Sequence, residues 1–276
     1  MTISEALQSA NALLLNSESP EIDSQILLCH VLHCQKTYLH TWPDKKLNES
    51  ERNNFNDLIQ QRVQGHPIAH LTERHGFWSL DLNVSPDTLI PRPDTELLVS
   101  LALELSQPNM LIADLGTGTG AIALSLATEM PTATFLAMDL SKKALAVAKQ
   151  NMGSHQLNNV NFWQGSWLTA IAENALDIVV SNPPYIEQND PHLSQGDVRF
   201  EPMLALVSGI DGLDDIRQII EQAQYCLKPS GWLLIEHGYQ QAQQVQQLFL
   251  EANFTNVTSQ QDYGGNDRVV LGQLQL

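Results

Sequence analysis

The spacing of apolar positions changes twice along the chain, and each change predicts a different kind of element. From Thr2 to Leu15, the residues Ile3, Leu7, Ala10 and Leu14 recur at three- and four-residue steps, which puts them on one side of an α-helix behind a Thr2 or Ser4 cap. Ser19-Pro20-Glu21 opens a second helix, since proline suits a first turn, with Ile22, Ile26, Leu27 and Val31 expected inward. A third runs from Asn48 to Gln64 on Phe55, Leu58, Ile59 and Val63, and Gly65 and Pro67 end it. Residues 1–65 read as a small helical bundle.

Between residues 66 and 88 the period drops to two. Leu80, Leu82 and Val84 alternate with Asp81 and Asn83, and His70 to Trp78 is the expected partner strand, so this stretch predicts a β-hairpin linker. Ile90-Pro91-Arg92-Pro93-Asp94 is a stiff turn before a helix over 95–105. From 110 onward strands and helices alternate. Strand-like runs fall at 110–115, 133–138, 160–163, 176–181 and 231–235, with helical segments near 119–130, 141–151, 213–227 and 240–251. That alternation predicts an α/β fold, a parallel sheet covered by helices on both faces. The last two strands, 254–260 and 268–274, are separated by too few residues for a crossover and must be antiparallel. Residues 89–276 therefore read as one domain with a mostly parallel seven-stranded sheet ending in an antiparallel hairpin.

Composition narrows the setting. No apolar run approaches the ~20 residues of a membrane-spanning helix, and no basic segment feeds an apolar stretch at the N-terminus. Cys29, Cys34 and Cys226 cannot build a disulfide framework. The expectation is a cytoplasmic protein without a membrane partner. The net charge is −17, with six Lys/Arg against ten Asp/Glu in residues 1–85 and eight against twenty-one in residues 86–276. Phosphate backbones are held by clustered Lys and Arg, so this balance argues against stable nucleic-acid binding and for a protein partner with a basic patch. Cys29-His30 and His33-Cys34 have the composition of a metal site, but one helix cannot aim all four at a common centre, and no metal is expected.

Two motifs carry chemistry. Asp114-Leu115-Gly116-Thr117-Gly118-Thr119-Gly120 lies between a strand and a helix, where glycines let backbone turn sharply and a ligand come close. Dinucleotide sites favour G-x-G-x-x-G, with a pyrophosphate on the helix N-terminus. Here the spacing is G-x-G-x-G, and Asp114 at the strand end would repel a pyrophosphate but accept from an ammonium group. Asp139 closes the next strand, where an acid can hold both ribose hydroxyls of a nucleoside, with Ser141 its rival as helix cap. The pattern suits a nucleoside without phosphates.

The second motif, Asn182-Pro183-Pro184-Tyr185, follows the strand at 176–181, at the sheet edge where α/β folds bind ligands. Two prolines stiffen the backbone and remove two donors, leaving the Asn182 and Pro183 carbonyls and the Asn182 side-chain oxygen as acceptors. Tyr185 offers a flat face for stacking. An amide or exocyclic amino nitrogen is a poor nucleophile because its lone pair is delocalised. Acceptors on its N–H bonds orient that lone pair and stabilise the positive charge that grows on nitrogen during alkylation.

Together these motifs resemble the class I, Rossmann-like methyltransferases that modify amino and amide nitrogens with S-adenosylmethionine. Ile90-Pro-Arg-Pro-Asp-Thr-Glu96, Phe200-Glu-Pro202, Gly209-Ile-Asp-Gly-Leu213, Glu236-His-Gly238 and Asp262-Tyr-Gly through Arg268-Val narrow the resemblance to the PrmC/HemK family, over nearly the whole chain. That family methylates the glutamine side-chain amide in the Gly-Gly-Gln motif of class 1 peptide chain release factors. The resemblance implies that Gly116, Gly118, Gly120, Asp139 and Trp167 bind S-adenosylmethionine and leave S-adenosylhomocysteine. Asp114, Thr117 and Thr119 belong to the same loop. It also implies that Asn182 touches both cofactor and substrate, that Pro183, Pro184 and Tyr185 hold the glutamine, and that the helical part is a docking module or a scaffold. Asn182, Pro183 and Tyr185 are the expected catalytic set. Nucleic-acid adenine and cytosine methyltransferases share the Asn/Asp-Pro-Pro-aromatic logic and stand as the alternative. Arg92, Glu96, Glu201, His237 and Arg268 match family positions, but spacing assigns them no role.

Overall fold

The computed structural model describes residues 1–275, and the chain divides into two compact units. The first comprises residues 1–74 together with Ser194–Phe200. Its helices are α1 (Ile3–Leu13), α2 (Pro20–Leu32), α3 (Lys36–Thr41), α4 (Glu49–Val63) and α5 (Ile68–Thr72). Thr2 caps α1 in a capping box with Glu5, and Asn48 does the same for α4 with Glu51, so two N–H groups at each helix start are satisfied by side chains. Ile3, Ala6, Ala10, Leu14, Leu27, Leu28, Phe55 and Ile59 form the core.

Two helical faces differ from the sequence pattern. On α2 the buried pair is Leu27 and Leu28, while Ile22 and Ile26 are 53% and 40% exposed. A helix packed on four neighbours, α1, α3, α4 and α5, is not obliged to keep one apolar stripe. Val63, near the end of α4, is likewise 42% exposed. The segment at 194–200 joins this unit through its own side chains: Arg199 Nη2 donates to the Gln64 carbonyl at 2.8 Å, and Phe200 lies 4.4 Å from the His66 ring.

The second unit holds residues 75–193 and 201–275. It begins at His75, within β1 (Arg74–Phe77), which pairs with β2 (Leu80–Asn83) as a two-stranded sheet. The first of these strands is shorter than the alternation implies. Residues 68–72 are helical, because Pro67 opens a turn in which Ala69, Leu71 and Thr72 are buried together, and Glu73 ends it in the left-handed region.

Helix α6 (Glu96–Leu105) leads into the main sheet, whose elements in chain order are β3 (Leu111–Leu115), α7 (Ala121–Glu129), β4 (Thr134–Asp139), α8 (Lys142–Ser154), β5 (Val160–Gln164) and β6 (Leu176–Ser181). They are followed by α9 (Asp214–Cys226), β7 (Leu227–Glu236), α10 (Ala242–Glu251), β8 (Phe254–Gln261) and β9 (Asp267–Leu274). The strand order is β5-β4-β3-β6-β7-β9-β8, seven strands with the first five parallel and β9 antiparallel to both β7 and β8. Two apolar clusters cover the two faces of the sheet. The order reverses between β3 and β6, and strand carboxyl ends at such a switch point form the crevice where α/β sheets bind ligands. Among the described residues no helix is long and apolar enough to cross a membrane.

Candidate active site

The crevice at the switch point holds a cavity of about 300 Å³, at the lower end of the usual range for small-molecule sites. The glycine loop forms one wall. Gly116, Gly118 and Gly120 all have positive φ, at +70°, +56° and +84°, which side-chain-bearing residues rarely adopt. A Cβ at Gly116 would lie 3.4 Å from the Trp167 ring, so the glycine lets Trp167 flank the cavity at van der Waals distance. Gly120 is required on the other side: a Cβ there would stand 2.9 Å from Leu124 Cδ1 and 3.3 Å from the Ala148 Cβ.

Hydrogen bonds hold the loop in this shape. Thr117 N donates to the Met138 carbonyl at 2.8 Å, and Gly118 N donates to Asp139 Oδ2 at 2.9 Å. Asp139 Oδ1 accepts from Ser141 N at 2.8 Å, while the Ser141 hydroxyl caps α8, so the rival roles are shared between the two residues. Asp139 lines the cavity, each oxygen already taking one N–H. Burial raises its pKa, and the N–H groups of Ser141, Gly118 and Leu140 oppose that rise.

Asp114 has a different place from the one expected. Its carboxyl does not line the cavity but lies behind the loop, 1% exposed. Oδ2 accepts from the Thr117 hydroxyl at 2.5 Å and from Ala123 N at 3.2 Å, so this side chain braces the turn against α7. Burial pushes its pKa up to about 7, with those two donors pulling the other way. Thr117 and Thr119 are buried in the same layer, and the Thr119 carbonyl accepts from Asn151 Nδ2 at 2.9 Å.

The Asn182-Pro183-Pro184-Tyr185 turn leaves the end of β6, where Ser181 Oγ donates to the Leu115 carbonyl at 2.8 Å and ties the two site-bearing strands together. Asn182 and Pro184 line the cavity; Pro183 is buried behind them. Asn182 Nδ2 donates to Thr95 Oγ1 at 3.1 Å. Tyr185 packs on the sheet, and Gln241 Nε2 donates to its carbonyl at 3.1 Å. Gly212 permits this approach, since a Cβ there would meet the Tyr185 carbonyl oxygen at 2.3 Å. Burial and then the Glu236 charge raise the pKa of the Tyr185 hydroxyl above its usual value, which keeps it neutral. Beyond the turn, Ile186 pairs with Val207, and its N–H donates to the Leu206 carbonyl at 2.9 Å.

The residues that spacing left without roles are largely braces around this turn. Arg92 Nη2 pairs with Glu201 Oε2 at 2.6 Å, and Glu201 Oε1 accepts from Ile90 N at 3.0 Å. Glu96 Oε1 accepts from Trp78 N at 2.8 Å, and Arg268 bridges Asp94 and Asp262 at 3.0 Å each. His237 is fully buried and does not line the cavity; burial lowers its pKa, keeping the ring neutral, and its Nδ1 lies 2.9 Å from the Gly238 carbonyl. Sequence reasoning missed the cavity wall at Asp87–Leu89 and at Pro202–Val207, where loop residues carry no periodic signal. It also missed Thr95 as a partner of Asn182. At Cys29, burial and the neighbouring Cys34 thiol push the pKa to about 11. Among the described residues no group of three or more His, Cys, Asp or Glu side chains could hold a metal ion.

Residues 5–72 match the model of the PrmC N-terminal domain, and residues 106–270 match a methyltransferase domain. The release factor glutamine methyltransferase of Aliivibrio fischeri is 51% identical over 259 residues, covering 93% of this chain and 91% of that one. The chain belongs to the release factor glutamine methyltransferase family. The Escherichia coli member of that family is 46% identical over 97% of each chain. A methyltransferase structure from Pyrococcus furiosus shares the fold, with a TM-score of 0.56 at 15% identity over 81% of this chain and all of that one. The chain is thus a methyltransferase of the S-adenosylmethionine-dependent kind, and the glycine cradle, Asp139 and Trp167 fit a nucleoside ligand without phosphates.

Proposed function

We propose that this enzyme methylates the side-chain amide nitrogen of the glutamine in the Gly-Gly-Gln motif of class 1 peptide chain release factors, and so modulates translation termination. The observation that carries the reading is the orientation of Asn182: its amide nitrogen is committed to Thr95, which leaves its carbonyl oxygen to accept from an N–H in the cavity it lines. S-adenosylmethionine supplies an electrophilic sulfonium methyl and leaves as S-adenosylhomocysteine. Gly116, Gly118, Asp139 and Trp167 hold its nucleoside part, Asp139 by accepting from ribose hydroxyls. Gly120 and Asp114, with Thr117 and Thr119, keep the cradle open from behind.

The Asn182 side-chain oxygen and the Pro183 backbone carbonyl accept the two amide N–H bonds, which fixes the plane of the acceptor and turns its lone pair toward the methyl. As charge grows on nitrogen the same oxygens stabilise it. Pro184 and the neutral Tyr185 form the apolar surface on which the planar group rests, and they exclude water from it. No strong base and no metal are needed, because the alkylated nitrogen becomes acidic and loses its proton afterwards. The acidic balance of the chain, −17 overall, favours a locally basic protein partner, and we assign the helical unit to docking the rest of that factor. A cytoplasmic setting fits three free cysteines.

The test is to incubate the enzyme with labelled S-adenosylmethionine and one of three acceptors: a release factor, the same factor with its motif glutamine replaced, or DNA. Label is expected in the intact factor alone. Label in DNA, or equal label in both factors, would overturn the assignment.

A further inference from the structure

We propose that Glu236, acting with Thr95, is a positioning residue that locks the Asn182 side chain with its amide nitrogen inward and its carbonyl oxygen toward the acceptor. The inference rests on the role given to Asn182 above. Glu236 ends β7, the strand beside β6, and is 1% exposed, with Oε2 buried and without a hydrogen-bond partner among the described residues. Thr95 is 4% exposed and receives the Asn182 Nδ2–H at 3.1 Å. Burial disfavours the charged form of the Glu236 carboxyl, while the neighbouring Thr95 and Asn182 side chains favour it.

The logic is one of donors and acceptors. A carboxylate can only accept, so it takes the Thr95 hydroxyl hydrogen and the second Asn182 N–H. Thr95 Oγ1 is then left as an acceptor for the first. Reversing the Asn182 amide would set its oxygen against two other acceptors in a buried place, with no compensating donor. A protonated Glu236 can donate instead. Thr95 could then turn its hydrogen to Asn182, and either amide orientation would be satisfied.

The lock therefore depends on ionisation. Burial lifts the Glu236 pKa to about 7; Thr95, Arg268 and Asn182 pull it down, and Asp94 pushes it up. Tyr185, whose own pKa the Glu236 charge helps to raise, is the other titratable group facing it. The locked state is present above that pH and lost below it.

Steady-state turnover of an unmethylated release factor, measured from pH 5.5 to 9, tests this with Glu236→Gln, Thr95→Val and Thr95→Ser. Glu236→Gln is expected to lower kcat on the order of 10²-fold, the cost of misplacing a reacting group, with S-adenosylmethionine affinity unchanged by calorimetry. Its acid limb near pH 7 should vanish. Thr95→Val should fall similarly, and Thr95→Ser, which keeps the hydroxyl, should recover most of the turnover. Wild-type turnover and an intact acid limb in Glu236→Gln would overturn the lock, as would a Thr95→Ser enzyme no better than Thr95→Val. If Glu236→Gln fails to fold, the Thr95 pair decides. A wild type that labels DNA rather than the factor sinks the substrate assignment instead, and the variants are then compared on DNA.

Discussion

Two turns leave neighbouring strands of the sheet and meet at one cavity, yet they are built on opposite principles. The loop after β3 uses glycines at positive φ, which open space against the cavity, while the N–H groups of Thr117, Gly118 and Gly120 are spent inside the protein, on Met138, Asp139 and Thr117. The turn after β6 uses two prolines, which close conformational space and remove N–H groups, leaving acceptors. The first suits a ligand that must be approached closely, the second a group whose hydrogens must be captured. Each is braced from behind by a buried carboxyl that burial pushes up to about 7, Asp114 under the glycines and Glu236 under the prolines. What the braces hold differs: Asp114 accepts from Thr117 and Ala123 and fixes a backbone shape, whereas Glu236 stands by the Thr95–Asn182 pair and, in the proposed lock, fixes an amide orientation.

Removing the acceptor side alone should separate the two turns most sharply. Asn182→Ala deletes one charge-stabilising oxygen, and turnover should fall about 10³-fold, near the cost of losing one such group at a developing charge. The glycine wall is untouched, so calorimetry should still find much of the cofactor affinity. Loss of all binding would mean that Asn182 belongs chiefly to the cofactor. The mirror experiment is Asp139→Ala. Losing a charged acceptor costs about 1.5–3 kcal/mol, so S-adenosylmethionine should bind roughly 10- to 100-fold more weakly, with kcat at saturation lowered far less. A kcat drop equal to that of Asn182→Ala would erase the distinction.

A third change tests shape without touching the ligand. Gly120→Ala puts a Cβ into the left-handed region and against Leu124 and Ala148, at 2.9 and 3.3 Å. The conformational penalty is about 1–2 kcal/mol, so with the clash a loss near 2 kcal/mol should lower the melting temperature by roughly 4–8 °C. An unchanged melting temperature would mean that the loop relaxes freely.

The same contrast explains what the sequence made legible. The glycine loop and the Pro-Pro turn announce themselves because backbone constraints are written in residue type: positive φ needs glycine, and donor removal needs proline. The alternation of strands and helices was readable for the same reason, as was the antiparallel end, because too few residues separate β8 from β9 for a crossover. Side-chain direction was not. Asp114 sits two residues before the first cavity-lining glycine, but strand alternation and the start of α7 turn it inward, which spacing from Gly116 could not reveal. Ile22 and Ile26 look like core by period and are solvent-facing, because Leu27 and Leu28 take the buried side of α2. The Thr95–Asn182 bond joins positions 87 apart in the chain, and only the fold brings them together.

The smallest expected effect concerns the pH dependence of stability, and it sets the two functions of Glu236 against each other. Its pKa is raised on folding, so between the unfolded value near 4.5 and the folded value of about 7 the folded state keeps a proton that the unfolded state has lost. Stability from this group is therefore fully present below about pH 4.5 and is lost as pH rises through 7. Activity runs the other way, since the carboxylate must be charged to lock Asn182. Asp114 contributes a stability slope of the same sign, while Asp190, Asp211 and Asp262, with lowered pKa values, contribute the opposite one. The informative quantity is thus the difference between wild type and Glu236→Gln, measured by chemical denaturation from pH 5 to 8. Wild type should lose stability relative to the variant across that window, by less than one proton's worth of slope. A flat difference would mean that Glu236 is ionised throughout, and its lock on Asn182 would then not respond to pH at all.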